Sequence, residues 1–268
     1  MAHHRPTVAD LLALRGKKQI AKLRVTTLDE AAAAERAGIG MLSVPPALIA
    51  EPAFRDAAPT AFAVTGLEYG HYVTAEDYLR AAFLVRRQSS DAVYCAASLA
   101  TIRRLRDEGI PVVSHVGLIP SHQTWSGGFR AVGKTFETAW QVWQQVKALE
   151  EAGAFAAEIE VVPPEVATAI SRRTGLFMIS MGAGGGCDAQ YLFADDVLGA
   201  HDGHYPRHAK VYRNFRAEYE RLQKERIAAF SEYNADVANG AFPARNQTVG
   251  ITGSELERFL EALDADAA

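Results

Sequence analysis

Cysteine is nearly missing from this chain: Cys95 and Cys187 are the only two among 268 residues. Two thiols cannot build a disulfide framework, and their scarcity points to a reducing, cytoplasmic setting. Long apolar runs are missing as well. The opening MAHHRPTVADLLALRGKK holds no stretch suited to a signal peptide or a spanning helix, so neither a leader nor a membrane partner is expected. An excess of positive charge is also lacking. With a net charge of -4, the chain has no electrostatic reason to bind nucleic acid or an anionic membrane. No linker or low-complexity segment divides it. His3 and His4 in the N-terminal tail carry little weight as a metal pair.

What is present reads as strand–helix repetition. About half the residues are apolar, enough for one large core. Strands are expected near 20–25, 39–43, 61–65, 91–95, 111–115, 156–161, 176–180 and 196–200. Helices with readable ends lie between most of them. Thr27 with Glu30 and Thr74 with Asp77 are capping patterns, and Gly38 closes the first of these helices. Ser98 caps a helix striped by Leu99, Ile102 and Leu105 and stopped by Gly109. Between Thr135 and Gly153, Val142, Val146 and Leu149 keep helical spacing, with Trp140 and Trp143 read as packing residues. The loop 45–59 shows no clear structure and reads as a lid or an interface segment. Eight strands alternating with helices predict a single (β/α)8 TIM barrel over 1–268, a fold of roughly 250 residues. From about 205 the pattern changes to a helical extension, with a long charged helix near 212–235 and a short one near 253–264.

In such a barrel the chemistry sits at the carboxyl ends of the strands. Three consecutive ends stand out in 158–210. One strand finishes in Glu160 before Val161-Val162-Pro163-Pro164, where the proline pair suits a first helical turn. The next runs through Ser180 into the glycine run 182–186, where backbone amides at a helix start could hold an anion but close packing is the preferred reason for the glycines. The third is read as running into His201-Asp202-Gly203-His204.

Several segments then resemble one family in order. Ser114-His115-Val116-Gly117-Leu118-Ile119-Pro120, followed by Gly127-Gly128-Phe129, is similar to the GHxGLxPQ…GG(Y/F) segment of ketopantoate hydroxymethyltransferase. The likeness continues through 149–154, Ile159-Glu160-Val161-Val162-Pro163, Met181-Gly182-Ala183-Gly184, 203–210 and Gly240-Ala241-Phe242-Pro243, with Thr7 to Leu11 fitting the family's start. The resemblance places the chain in the phosphoenolpyruvate mutase/isocitrate lyase superfamily of barrels. It implies a cytoplasmic homo-oligomer, a decamer in the family. It also implies magnesium, methylenetetrahydrofolate and a small 2-oxo acid substrate, the family being known equally as 3-methyl-2-oxobutanoate hydroxymethyltransferase, and chemistry like that of pantothenate biosynthesis.

The chain departs from the family where the metal is held. The family's VGDS, ADLPF and KIEGG turns appear here as 43–46, 65–69 and 94–98, so that Pro45, Gly66 and Ala96 replace the metal-site acids. None of those side chains offers magnesium an oxygen. Glu68 and His71 are the one replacement pair in reach, and otherwise no metal site is expected.

By the resemblance, Glu160 is the proton-abstracting base. His115 is a substrate contact, with Tyr94, Ser180 and Gly182 beside it. Tyr69, His71 and Tyr94 would form a metal-free pocket that polarises a carbonyl by hydrogen bonds. The expected activity is carbon–carbon bond formation or cleavage on a small 2-oxo acid, hydroxymethyltransferase- or aldolase-like. The alternatives are a metal-independent lyase or transferase of a specialised pathway, and an inactive paralogue that binds a metabolite or a partner subunit. Polar groups converging on Glu160 would favour chemistry, and a pocket collapsed around Pro45 and Pro46 would favour its loss.

Overall fold

The structure is a computed structural model that describes residues 4–68 and 70–266. His3 and Tyr69 lie outside the described residues. Eight parallel strands close into a barrel in chain order: β1 (Ile20–Arg24), β2 (Met41–Val44), β3 (Phe62–Gly66), β4 (Ala92–Tyr94), β5 (Val112–Gly117), β6 (Ala156–Glu160), β7 (Phe177–Met181) and β8 (Ala189–Phe193). β8 pairs back onto β1, with Lys22 opposite Tyr191 and Arg24 opposite Phe193.

Seven strands fall within two residues of their expected places, and the eighth does not. Residues 194–198 form a short helix, Ala194–Leu198, and the last strand is the preceding AQYLF. The glycine run accordingly opens no helix. It belongs to the seven residues 182–188 that join β7 directly to β8. Parallel strands usually need a crossover of about a dozen residues. Seven suffice here because Asp188 comes back only as far as Met178, accepting its amide at 2.9 Å while donating its own to the Met178 carbonyl at 2.9 Å. Ser180 Oγ and Gln190 Nε2 both donate to the Gly184 carbonyl and hold the loop. At Gly186 a Cβ would sit 1.9 Å from Thr168 Oγ1, so the loop lies flat on the helix Pro164–Ser171 only without a side chain there.

The loop 45–59 is also corrected. It contains two short helices, Pro46–Ile49 and Phe54–Ala57, whose Leu48, Ile49 and Phe54 are buried. It is a packed connection rather than a lid.

The strands bury both faces, as parallel strands do. Leu42, Ala63, Val93, Ile159 and Met178 point outward to the helices, of which Leu28–Arg36, Ala75–Arg87, Leu99–Asp107, Phe136–Glu151 and Pro164–Ser171 form the outer layer. Met41, Phe62, Val64, Phe177 and Ile179 point inward, and Leu11 from the N-terminal helix Val8–Leu14 joins them. Phe62 and Phe155 meet edge to face at 6.0 Å. The interior is thus apolar toward the amino ends of the strands. Toward the carboxyl ends it turns polar.

The chain divides into two compact units, Met1–Arg213 and Asn214–Ala268. The sequence reading starts the helical extension earlier, at about 205. The second unit holds the helices Phe215–Asn239 and Gly253–Asp266, neither of which has a buried residue. Among the described residues no helix is long and apolar enough to cross a membrane.

Candidate active site

Alternation along the strands fixes which side chains enter the barrel. On β1 the interior set is Ile20, Lys22 and Arg24, and on β6 it is Ala156, Glu158 and Glu160. Each strand therefore sends two charged groups inward, one above the other. The Lys22 ammonium bonds Glu158 Oε1 across the interior, with side-chain exposures of 0% and 6%. The same ammonium lies 4.3 Å from the centroid of the Tyr191 ring. Glu158 Oε2 is 3.4 Å from His115 Nδ1, and Glu160 Oε2 is 3.1 Å from His115 Nε2. The result is an unbroken sequence, Lys22–Glu158–His115–Glu160, buried over its first three members and ending at a cavity with the partly exposed Glu160.

That cavity, about 170 Å³, opens among the carboxyl ends of the strands. Its polar walls are Arg24, Ser43, Tyr94, His115, Glu158, Glu160 and Tyr191, and its apolar ones Met181 and Phe193. A larger groove of about 910 Å³ lies among Arg5, Arg55, Arg86 and Asp91. It belongs to the amino ends, where Asp91 takes ion pairs from Arg5 and Arg55, and conserving structure is the usual task of that face in barrels.

His115 is fixed by four of its neighbours. A carbonyl oxygen only accepts, so the 2.8 Å contact of Nε2 with the Leu118 carbonyl puts a proton on Nε2. Burial opposes a charged ring, but hydrogen bonds to Glu158 and Glu160 and their charges outweigh it, raising the His115 pKa from 6.5 to about 9. The two carboxylates thus favour the imidazolium form of the ring. In that form Nδ1 carries a proton and can donate to the Tyr94 oxygen 3.0 Å away, and the phenol proton of Tyr94 is then available to the cavity. Burial, with Glu158 next, holds the Tyr94 pKa well above 10, so the phenol keeps that proton. Burial would raise the Glu158 pKa, yet Lys22 and His115 hold it below the ordinary carboxylate value. Tyr191 is raised by burial first and Glu158 second, and it hydrogen-bonds with Ser43 and Arg24.

The backbone serves the same corner. Gly117 stands opposite Glu160 in the β5–β6 register with φ +85°, and a Cβ there would lie 2.5 Å from the Glu160 carbonyl oxygen. Val161, the residue after Glu160, has φ +50°, a left-handed conformation rare for a β-branched residue. Its amide donates to the Met181 carbonyl at 2.9 Å and its carbonyl accepts from Val132 at 3.1 Å, so the turn is held from both sides.

Of the residues singled out in the sequence, Glu160, His115 and Tyr94 come together here. Ser180 and Gly182 do not. Ser180 lies between the inward Ile179 and Met181, and its hydroxyl is engaged with the glycine loop. Gly182 backs onto His208, whose Nδ1 would lie 2.8 Å from a Cβ. Glu68 and His71 form an ion pair of 3.1 Å with side chains 48% and 68% exposed. Lys22, Glu158, Arg24, Ser43 and Tyr191 were not singled out. The signal was available: in IAKLR and AAEIE charged residues alternate with apolar ones, and in a parallel barrel the inner face is the only other place for them.

A divalent ion does not fit this donor set. Among the described residues no group of three or more His, Cys, Asp and Glu side chains is placed to hold one. The ends of β2, β3 and β4 contribute Ser43, Gly66 and Tyr94 to the cavity, and the two carboxylates are already matched to Lys22 and His115.

The family profile described as ketopantoate hydroxymethyltransferase matches residues 42–245. A protein of Emericella nidulans named 3-methyl-2-oxobutanoate hydroxymethyltransferase is 34% identical over 213 residues, covering 78% of this chain and 60% of that protein. One of the same name from Kosmotoga olearia is 31% identical over 259 residues, covering 88% of this chain and 94% of its own. The fold is similar to that of 2,3-dimethylmalate lyase, a member of the PEP mutase/isocitrate lyase superfamily (TM-score 0.50, 15% identity, 97% of both chains). It is also similar to phosphonopyruvate hydrolase in complex with oxalate and Mg++ (TM-score 0.54, 13% identity, 96% of this chain and 99% of the other).

Proposed function

The chain belongs to the ketopantoate hydroxymethyltransferase family, and on that premise we propose that it catalyses carbon–carbon bond chemistry on a small 2-oxo acid through its own acid–base groups. The observation that carries this reading is the Lys22–Glu158–His115–Glu160 sequence meeting the Tyr94 hydroxyl at one cavity. Such an arrangement costs several kcal/mol of desolvation per ion unless each charge is well matched. Its place at the mouth of the barrel gives it a use.

The 2-oxo acid enters with its carbonyl toward Tyr94 and its C3–H toward Glu160. Glu160 takes the C3 proton as general base. The C–H electron pair becomes the C2–C3 double bond, and the carbonyl pair moves onto oxygen. Tyr94, with His115 donating to it from behind, meets the charge that develops there, the task of an oxyanion-hole donor. The enolate so formed attacks a one-carbon electrophile in the synthetic direction, and the same groups run the cleavage in reverse. A cavity of about 170 Å³ suits a small acid, well below the roughly 300–1,000 Å³ of sites for drug-sized ligands. The polar groups converge on Glu160, and Pro45 and Pro46 are absent from the cavity wall, which favours an active enzyme over an inactive paralogue.

Proton NMR of 2-oxoisovalerate in heavy water tests this directly. The expected result is deuterium exchange at C3 that persists in EDTA and disappears in Glu160→Gln. Exchange that requires added magnesium, or none under any condition, would overturn the reading.

A further inference from the structure

We propose that Arg24 is the carboxylate anchor of the cavity, an inference that rests on the active-site reading above and extends it to the substrate's acid group. Arg24 is the last residue of β1 and lies one inward position beyond Lys22, on the cavity wall. The charges around it are otherwise matched. Lys22 is paired with Glu158, and His115 lies between Glu158 and Glu160. No ion pair involving Arg24 occurs among those found for the described residues. Its guanidinium instead lies 5.6 Å from the Phe193 ring centroid and shares a hydrogen bond with Tyr191.

Those two contacts orient the group without neutralising it. A guanidinium resting on an aromatic face is held by its plane, and its remaining N–H groups stay directed outward. Five donors in a rigid fork match the two oxygens of a carboxylate, and one hydrogen bond to a phenol leaves most of them open. A 2-oxo acid bound without a chelating metal needs a positive partner for its carboxylate, and Arg24 is the cation of this cavity left to give it. With the carboxylate on Arg24, the adjacent carbonyl falls to Tyr94 and the carbon beyond it to Glu160. The ligand class is therefore a small monocarboxylate, and amides or ketones of the same shape are excluded.

Calorimetric titration with isovalerate and isovaleramide tests the anchor apart from the chemistry, because neither probe has a 2-oxo group. The wild type should bind the acid at least tenfold more tightly than the amide. Arg24→Met should lose at least tenfold in affinity for the acid and no longer separate the two probes, whereas Arg24→Lys should keep part of the preference. In the exchange reaction Arg24→Met should raise the KM for 2-oxoisovalerate at least tenfold while kcat stays within a few-fold, the opposite of the loss in kcat expected of Glu160→Gln. Wild type that does not prefer the acid, or Arg24→Met that binds it unchanged, overturns the anchor. An Arg24-dependent preference in an enzyme without exchange upholds the anchor and removes the proposed chemistry. Wild-type discrimination is read without any substitution, so a poorly folding variant does not shield the proposal.

Discussion

Lys22 and Glu158 stand three strands apart around the barrel, on β1 and β6, yet their side chains meet inside it as an ion pair closed off from water. Removing one partner leaves the other charge buried alone. Lys22→Met should therefore destabilise the protein by about 3–5 kcal/mol. The double variant Lys22→Met/Glu158→Leu should recover most of that loss, since an apolar pair of similar volume is often neutral or better. It should nonetheless exchange poorly, because His115 loses one of the two carboxylates that keep it charged. Urea unfolding of the three proteins, with exchange measured alongside, checks both parts. A single variant as stable as the wild type would mean the charge is not sealed in.

Tyr94→Phe separates the oxyanion donor from the fold. The ring keeps its edge-to-face contact with His115, whose centroid is 6.1 Å away, and only the hydroxyl is lost. Stability should change by about 1 kcal/mol, the usual worth of one hydrogen bond. The exchange rate should fall by about 10²–10³, the effect of removing one oxyanion donor. A rate within threefold of the wild type would exclude Tyr94 from the role.

Stability should depend on pH through the same groups. The folded His115 pKa of about 9 lies above its ordinary 6.5, so its contribution is complete below 6.5 and is lost as pH rises toward 9. A shift of that size corresponds to about 3 kcal/mol. The folded Glu158 pKa is depressed, so its contribution is present above 4.5 and is lost as pH falls through the lower folded value. The melting temperature should thus be highest between these limits. In His115→Gln the fall between pH 7 and pH 10 should be visibly smaller than in the wild type, and an equal fall in both would assign it to other groups.

Val161 offers a test on the backbone. A left-handed β-branched residue costs about 1–3 kcal/mol, and it directly follows the proposed base. Asparagine adopts that conformation more readily. Val161→Asn should gain about 1 kcal/mol in chemical denaturation. A loss of the same size would show that the valine side chain contributes more by packing than its backbone loses by strain.

How much of this the sequence disclosed depends on the kind of signal each element left. Seven strands were legible because each is a short, largely apolar stretch set off by helix ends or turn residues. β8 was not, because AQYLF follows a loop with no helix in it, while VLGA looked like the better strand. Glu160 and His115 were singled out by their likeness to a known family, and Tyr94 because it stands where that family has a metal-site turn. Lys22 and Arg24 left only an alternation, which in an isolated strand means one wet face. Closure of the ring turns that face inward, and closure is a property of all eight strands together. Ser180 was misplaced by the same parity: one step along β7 changes the cavity for the glycine loop.

The apolar floor made by Leu11, Met41, Phe62 and Phe177 has a kinetic consequence. With that floor packed by side chains, the reactants of the proposed chemistry come in from the carboxyl ends of the strands. Whatever enters first lies deepest, and a second reactant can only arrive on top of it. Binding should be compulsory-ordered, with the acid leading. The product must leave by the way its precursors came, so it competes with the incoming acid for the vacated site.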